Sequence, residues 1–363
     1  SAGIGRTGTF IALDYLLDMA KAKGKVDILA CVKRMREKRL NMVQTVAQYK
    51  FIYHTLLEAL VCGDTSVPTQ NLRAHVSALE GTNSSNHTGF TGEFQKLAKF
   101  CTLYNIHTCK EGVKPANKSK NRNQKILPAD IFRPSLMTLT NKDGTPGYIN
   151  AVFVDTYSKK EGFIVTQLPL KETITDFWSL VFDYKCNSLI VMNQVQELGE
   201  NVYCIYSVEH CTSVGSNLED KLTKKKRKIN KILLLKKIAV TEKARLPMSE
   251  HQVNLFQLSN WSMQRPTPES PSFITNLLME VERVFQENRI LIACWDGASR
   301  CGLFCAASVV CEQIREEGLV DVFQAVKTIR RSRPQLLRDP EQYKFCYEIV
   351  KAYLDSFETY ANF

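Results

Sequence analysis

An apolar run that ends in a cysteine and is followed, after a short loop, by an arginine constrains most strongly what this chain can fold into. The run from Ile290 to Ala293 predicts a β-strand that ends at Cys294, and the segment from Arg300 onward is compatible with a helix. A tight loop between a strand and a helix points backbone N–H groups at one place, where the helix dipole favours an anion. Arg300 can clamp two phosphate oxygens, and the same positive field favours Cys294 as a thiolate nucleophile. The alternative is a buried, inert cysteine beside a solvated arginine.

The start of the chain holds a second copy of this region. Its glycine-rich loop, SAGIGRTG, contains Arg6 where the later loop contains Arg300. The following segments repeat as well, since KVDILACVKRMR after the first loop parallels LVDVFQAVKTIR after the second, and residues 47–53 parallel residues 341–347. An internal repeat of this length predicts two copies of one domain, of which the first is truncated to its final helices.

The loop of residues 1–8 resembles the second half of the signature loop of the classical protein tyrosine phosphatases, which reads His-Cys-Ser-Ala-Gly-x-Gly-Arg-Thr-Gly. With two such loops, the chain resembles a C-terminal fragment of a receptor-type protein tyrosine phosphatase with tandem domains. The stretch Leu60–Thr65 resembles the kappa/mu-like subgroup. The resemblance implies an α/β fold, the classical protein tyrosine phosphatase fold: a mixed twisted sheet flanked by helices, preceded by the C-terminal helices of a truncated first copy.

The resemblance and the composition divide the chain into four parts. Residues 1–62 are expected to be the C-terminal helical part of the first, catalytic domain, and the polar residues 63–91 a linker. Residues 92–356 are expected to form the second, degenerate domain, and residues 357–363 a tail. Apolar periodicity predicts helices at 9–22, 27–36, 46–60, 94–100, 174–184 and 271–288. Strands are predicted at 147–154, 162–167, 188–193, 202–208, 232–241, 253–258 and 290–293.

The first copy keeps the family's phosphate loop after the position of the nucleophilic cysteine. The resemblance implies that Arg6 clamps the phosphate and that Gln48 positions the water that hydrolyses a cysteinyl-phosphate intermediate, with no metal or organic cofactor. The sequence as given contains neither the nucleophile nor the acid aspartate of this copy, so this chain by itself is expected to be inactive there. The phosphate-binding residues implied for this copy are Ser1, Ala2, Gly3, Ile4, Gly5, Arg6 and Thr7.

The second copy departs from the family at positions that carry the chemistry. Met263 stands where the family has its acid aspartate, and Asn123 replaces the aromatic ring that stacks on phosphotyrosine. A thioether donates no proton, and losing a general acid costs ~10²–10⁴-fold in rate. Asp296 adds a carboxylate beside the phosphate site, where it would repel a dianion. The family's histidine, hydroxyl residue and glutamine are also replaced, by Ala293, Cys301 and Arg338.

The second domain is therefore expected to be a regulatory pseudophosphatase in a protein whose first domain hydrolyses protein phosphotyrosine. Cys294 and Arg300 are retained either to bind an oxyanion or because the loop packs well. Three alternatives stay open: redox sensing at Cys294, weak residual activity of the second domain, and a non-catalytic scaffold that binds phosphotyrosine or adaptors. The resemblance still implies catalytic positions at Cys294, Arg300 and Gln342, and a phosphate-binding loop of Trp295, Asp296, Gly297, Ala298, Ser299 and Arg300.

The charge of the chain is the remaining signal. The formal net charge is +11, and the densest basic cluster is Lys224–Lys228. Such a run can bind anionic lipid at the inner leaflet, but it can equally be a solvated hairpin or strand edge, where charge blocks unwanted pairing. No aromatic platform accompanies it, so nucleic acid is not an expected partner.

The expected partners and location follow from the resemblance. The partners are phosphotyrosine proteins, the protein's own first phosphatase domain and possible adaptors. The location is the cytoplasmic side of the plasma membrane, as part of a single-pass receptor with no transmembrane segment in this fragment. The 12 cysteines show no metal-ligand spacing, which predicts free thiols in a reducing compartment and no metal site.

Overall fold

The computed structural model describes residues 3–82, 88–140, 144–194, 218–229, 233–242, 250–258, 260–284 and 288–361. The chain divides into two compact units, Ser1–Thr65 and Ser66–Phe363, which we call unit 1 and unit 2. Within the ranges given above, no helix is both long enough and apolar enough to cross a membrane.

Unit 1 consists of three helices, α1 (Arg6–Lys23), α2 (Ile28–Lys38) and α3 (Val46–Cys62). Their ends follow from ordinary capping. Gly24 adopts a left-handed conformation (φ 64°) after α1, and the Asp27 side chain caps α2. Thr45 and Gln48 form a capping box at the start of α3. The three helices predicted for this part of the chain are confirmed, and they pack around Ala12, Leu16, Val32, Ile52 and Leu56.

The described residues of unit 2 form a mixed seven-stranded sheet of β4 (Ala151–Val154), β5 (Phe163–Gln167), β6 (Ser188–Val191), β7 (Leu218–Ile229), β8 (Leu233–Glu242), β9 (Glu250–Leu258) and β10 (Ile290–Cys294). The strand order is β4-β5-β10-β6-β9-β8-β7. Strands β5, β10, β6 and β9 are parallel, while β4, β8 and β7 pair antiparallel with their neighbours. Two small two-stranded ladders join β1 (Val67–Pro68) to β11 (Leu319–Val320) and β2 (Leu136–Thr140) to β3 (Pro146–Gly147).

Helices flank this sheet, so the α/β fold class expected from the resemblance is confirmed. They are α4 (Leu72–Glu80), α5 (Gly89–Phe100), α6 (Ile174–Asp183), α7 (Ser272–Arg283), α8 (Ser299–Glu317), α9 (Val322–Ser332) and α10 (Pro340–Ala361). The central strands β5, β10 and β6 are buried along their whole length, as their unbroken apolar runs predict for parallel strands covered on both faces. Because β10 lies in the middle of the sheet and α8 begins just after it, the loop between them is held by the most buried part of the fold.

The predicted linker over residues 63–91 is corrected by the structure. Unit 2 begins at Ser66, and the segment contains strand β1 and helix α4. Leu72 and Val76 are buried on one side of α4, and Val67 in β1 pairs with Val320 in β11. The polar composition of the segment reflects the exposed side of a short amphipathic helix rather than a linker.

Other boundaries also differ from the prediction. Helix α5 begins at Gly89 rather than near Phe94, because the Thr88 side chain caps its first turn. Helix α10 continues to Ala361, into the residues predicted to be a tail. The run Lys224–Lys228 lies on β7, which stands at one end of the strand order among the described residues, and both of its interpretations stay predictions. The strand predicted at 202–208 lies outside the described residues.

The two copies of the repeated helices differ in what covers them. They align without a gap, with Phe10 at the position of Phe304 and Phe51 at that of Phe345. Phe10 and Phe51 are 70% and 55% exposed, whereas Phe304 and Phe345 are 1% and 6% exposed. In unit 2, Phe304 lies against Phe163 of the sheet. The helices of unit 1 therefore display an apolar surface whose counterpart in unit 2 is buried.

Candidate functional site

A cavity of about 570 Å³ lies at the carboxyl ends of β10 and β6, where ligands bind in open α/β sheets. Its walls come from the loop between β10 and α8, from residues 263–266, and from the start of α10. The predicted site residues that line it are Met263, Trp295, Asp296, Ala298, Ser299, Arg300 and Gln342. Cys294 is fully buried and Gly297 is buried, and neither lines the cavity.

The loop between β10 and α8 needs a glycine at Gly297. Its φ is 69°, and a Cβ atom there would lie 2.5 Å from the backbone nitrogen of Gln167 in β5. Arg333, which follows α9, holds this glycine in place. Its Nη1 donates to the Gly297 carbonyl oxygen at 2.6 Å, and its Nη2 donates to Asn150 Oδ1 at 2.7 Å. The loop is therefore fixed by packing and by a buried arginine.

Arg333 is a site-forming residue that the sequence interpretation missed. It is 1% exposed, and burial lowers the pKa of its guanidinium. The repeat contains a signal for it, because Arg39 stands at the corresponding position of unit 1. There the Arg39 guanidinium also lies against a glycine, Gly3, whose φ is 67°. The presence of an arginine beside a positive-φ glycine in both copies indicates that this arginine supports the conformation of the loop.

The Asp296 carboxylate lies inside the loop, not merely beside it. Its Oδ1 accepts hydrogen bonds from the backbone nitrogens of Ala298 (2.9 Å) and Ser299 (3.0 Å), and from Ser299 Oγ (3.0 Å). The Cys294 thiol donates to the same oxygen at 3.2 Å. Burial by itself would raise the pKa of Asp296, but these hydrogen bonds outweigh it and lower the pKa below its usual value. The carboxylate is therefore ionised at neutral pH.

The two thiols at the base of the loop are buried. Cys294 is 0% exposed at the end of β10, and Cys301 is 0% exposed in the first turn of α8. Cys301 Sγ lies 3.8 Å from the carbonyl oxygen of Ile292. Burial, together with the neighbouring Cys294, raises the pKa of Cys301 well above its usual value. Cys301 is thus a neutral thiol where the resemblance implies a hydroxyl.

Arg300 is anchored beneath the cavity and is only 6% exposed. Its Nη1 donates to the Met192 carbonyl oxygen at 2.9 Å, and its guanidinium lies 4.8 Å from the centre of the Trp261 ring. The Trp261 indole in turn donates to the Arg265 carbonyl oxygen at 3.0 Å. Arg300 therefore connects the loop between β10 and α8 to the segment that carries Met263.

The segment at the acid position is also held by Gln342. The Gln342 Nε2 donates to the Pro266 carbonyl oxygen at 2.8 Å, and the side chain is buried. Met263 is 49% exposed and lines the cavity. The structure thus brings Met263 and Gln342 to the same cavity as the loop between β10 and α8.

Asn123, which replaces the expected aromatic ring, does not line the cavity. It is exposed, and its Oδ1 accepts from the Lys125 backbone nitrogen at 2.9 Å. Its neighbour Arg122 lies 3.9 Å over the ring of Trp295, whose backbone nitrogen donates to Asn193 Oδ1 at 2.8 Å. A tryptophan from the loop itself therefore forms part of the wall.

In unit 1, the predicted loop is described from Gly3 onward, and Ser1 and Ala2 lie outside the described residues. Gln48 lies against Gly5, the residue before Arg6, since a Cβ on Gly5 would be 2.8 Å from Gln48 Nε2. The Gln48 Oε1 accepts from the backbone nitrogens of Gln44 (2.8 Å) and Thr45 (3.2 Å). Ile4 and Thr7 flank this contact along the chain, and Gly5 is the residue of the first loop that is in contact with Gln48.

Two parts of the chain, residues 1–58 and residues 117–352, match the family described as protein-tyrosine phosphatase. The chain belongs to the protein-tyrosine phosphatase family. The matched ranges include the glycine-rich residues 1–8 and the loop between β10 and α8.

Several receptor-type phosphatases are similar to the chain over its full length. It is 36% identical over 375 residues to receptor-type tyrosine-protein phosphatase epsilon of Rattus norvegicus, covering 100% of the chain and 52% of that protein. It is 35% identical over 373 residues to receptor-type tyrosine-protein phosphatase U of Gallus gallus (99% and 25%). It is 34% identical over 369 residues to receptor-type tyrosine-protein phosphatase alpha of Mus musculus (100% and 43%). The chain therefore spans about half, or less, of the length of these relatives.

The described residues contain no group of three or more His, Cys, Asp or Glu side chains placed to hold a metal ion. The charged side chains that line the cavity are those of Asp296, Asp339, Arg265, Arg300 and Arg338. The buried Cys294 thiol contacts one of them, Asp296.

Proposed function

We propose that unit 2 is a regulatory pseudophosphatase domain of a receptor-type protein tyrosine phosphatase. The observation that carries the proposal is that Met263, which the resemblance assigns to the position of the general acid, lines the cavity. A leaving tyrosine oxygen needs a proton, and a thioether has none to give. The loss of a general acid costs ~10²–10⁴-fold in rate.

The state of the nucleophile supports the same proposal. The Cys294 sulfur, the atom that would attack phosphorus, is fully buried and lies 3.2 Å from the Asp296 Oδ1 atom to which it donates. The carboxylate that accepts this bond also carries a negative charge at the place where a phosphate dianion would have to lie. Gln342, the position of the residue that would orient water, uses its amide to hold Pro266.

For unit 1 we infer the opposite role, that of the final part of a working catalytic domain. Arg6 would clamp the phosphoryl oxygens and Gln48 would position the water that hydrolyses a cysteinyl-phosphate intermediate on phosphotyrosine. The contact between Gln48 and Gly5, next to Arg6, supports this assignment. The given chain by itself is expected to be inactive at this loop.

The partners and location remain proposals that rest on the relatives. Receptor-type names among the relatives support a place at the cytoplasmic side of the plasma membrane, and residues 60–65 support the kappa/mu-like subgroup. Phosphotyrosine proteins, the first domain and adaptors are the proposed partners. The basic run Lys224–Lys228 is the proposed contact for anionic lipid.

A second candidate function, a scaffold that binds phosphotyrosine or an adaptor without hydrolysis, is favoured by one observation. The cavity is open although Met263 offers no general acid, and its lining includes Arg265 and Arg338. Arginine side chains at a cavity wall suit carboxylate and phosphate groups.

Hydrolysis of a phosphotyrosyl peptide by the 363-residue chain tests the proposal. The control is Cys294→Ser, which removes the thiol at the nucleophile position implied by the resemblance. We expect the chain and the control to give the same background rate. A rate that disappears in the control would show that another group replaces the missing acid, and the pseudophosphatase proposal would be wrong.

A further inference from the structure

The donors of the second loop converge on a single oxygen that belongs to the protein itself. Three N–H and O–H donors from Ala298 and Ser299, and the Cys294 thiol, reach Asp296 Oδ1 within 3.2 Å. A carboxylate oxygen has about two lone-pair sites, so four donors around one oxygen resemble the surroundings of a bound anion more than those of a solvated side chain. The first turn of α8 adds the positive end of its dipole at the same point.

We call the Ala298 and Ser299 amides, together with the Ser299 hydroxyl, the oxyanion cradle. We propose that the Asp296 carboxylate occupies this cradle and thereby prevents an external tetrahedral oxyanion from binding there. This goes beyond repulsion between like charges, because the side chain fills the place that a phosphate oxygen would take. The proposal rests on the proposed function only in identifying this loop as the family's phosphate loop. Binding of an oxyanion and turnover of a substrate test the two separately.

The rest of the loop is held in an open conformation by contacts that do not involve the Asp296 side chain. Gly297 keeps its positive φ, and Arg333 holds its carbonyl oxygen from below. The Trp295 nitrogen is fixed by Asn193, and the Gly297 nitrogen donates to the Cys294 carbonyl oxygen at 3.2 Å. Removing the Asp296 side chain would therefore leave the amides of Ala298 and Ser299 aimed at an open, anion-sized space.

The chain itself suggests the substitution that tests this. In the gapless alignment of the two copies, Ala2 stands where Asp296 stands in the second loop. Asp296→Ala therefore gives the second loop the residue of the first. Asp296→Asn is the variant that separates occupancy from repulsion, because a carboxamide oxygen still accepts from the same amides but carries no charge.

The experiment titrates the 363-residue chain with inorganic phosphate and with tungstate. Binding is followed by the emission of Trp295 and Trp261, which border the loop. All variants carry Arg6→Ala so that the first loop contributes no signal. Asp339→Asn is the matched control, since it removes an equal charge from another acid that lines the same cavity.

We expect Asp296→Ala to bind the oxyanions at least about tenfold more tightly than the parent, as regained charge-assisted hydrogen bonds would give. Asp296→Asn and Asp339→Asn are expected to bind as weakly as the parent. Equal gains in Asp296→Ala and Asp296→Asn would show that repulsion alone excludes the anion. No gain in Asp296→Ala would show that the loop is not an anion site, and either result overturns the proposal.

Two further measurements keep the outcome interpretable. Thermal unfolding of each variant shows whether it is folded, and Asp296→Ser, whose side chain is too short to fill the cradle, replaces Asp296→Ala if the latter is not. Turnover of a phosphotyrosyl peptide is measured on the same variants. A variant that binds tungstate without turnover supports both proposals. Turnover by the chain that keeps Asp296 would refute the pseudophosphatase assignment, while the comparison of oxyanion binding still decides the role of Asp296.

Discussion

The close contact between Gly297 and strand β5 allows a quantitative prediction about the loop. A Cβ at this position would lie 2.5 Å from the Gln167 nitrogen and 2.7 Å from both the Thr166 carbonyl carbon and Arg333 Nη1. Two of these atoms belong to the backbone of a fully buried central strand, which cannot yield without shifting the sheet. Gly297→Ala is therefore expected to destabilise unit 2 through both a steric clash and backbone strain.

A second glycine separates the two effects. Gly318, which ends α8, has nearly the same φ (67° against 69°), but a Cβ there would meet nothing within 4 Å. Gly318→Ala should cost only the strain of a left-handed residue, about 1–2 kcal/mol. Gly297→Ala should cost that amount plus about 1–3 kcal/mol for overpacking.

Urea unfolding followed by tryptophan emission measures the difference. All three tryptophans of the chain, Trp178, Trp261 and Trp295, lie in unit 2, so their emission reports on that unit alone. Equal losses of unfolding free energy in Gly297→Ala and Gly318→Ala would refute the argument, because the loop would then have room for a side chain.

Three further predictions concern other parts of unit 2. Because the pKa of Asp296 is lowered in the folded state, its ionised form stabilises the fold above about pH 4, and this contribution is lost as the pH falls through the folded pKa. The urea midpoints of the parent and Asp296→Asn should therefore converge in acid. A constant difference between the two midpoints from pH 7 to pH 3 would contradict this. Arg333→Met leaves the Gly297 carbonyl and Asn150 without their donor and should cost about 2–4 kcal/mol of unfolding free energy; a loss below about 1 kcal/mol would show that the arginine does not support the loop. Replacing Lys224–Lys228 by glutamines should weaken sedimentation with phosphatidylserine vesicles at low salt, and unchanged sedimentation would exclude this run as the lipid contact.

The signature loop and the central strands could be predicted from the sequence because each depends on local pattern. The apolar runs of β5, β6 and β10 are typical of buried parallel strands, and the spacing from Cys294 to Arg300 fits a strand, a loop and a helix start. The repeat then extended the prediction to the three helices of unit 1. These features need no knowledge of distant contacts.

The missed features depend on contacts between distant residues. Helix α4 has only two buried residues, Leu72 and Val76, so its apolar side is too short to stand out in a polar segment. An arginine such as Arg333 is usually exposed, and its burial depends on Asn150, far away in sequence. Asp296 was expected near the phosphate, but whether it faces outward or fills the loop depends on the positions of the amides of α8.

The central claim, that the second loop of this chain performs no phosphoryl transfer, is tested most directly by looking for its covalent intermediate. Intact-protein mass spectrometry after acid quenching of the chain with excess phosphotyrosyl peptide detects a phosphocysteine even if its hydrolysis is slow. We expect no phosphorylated species, because Met263 offers no proton and the Cys294 thiol donates to Asp296. A phosphorylated chain that is absent from the Cys294→Ser variant would contradict the account.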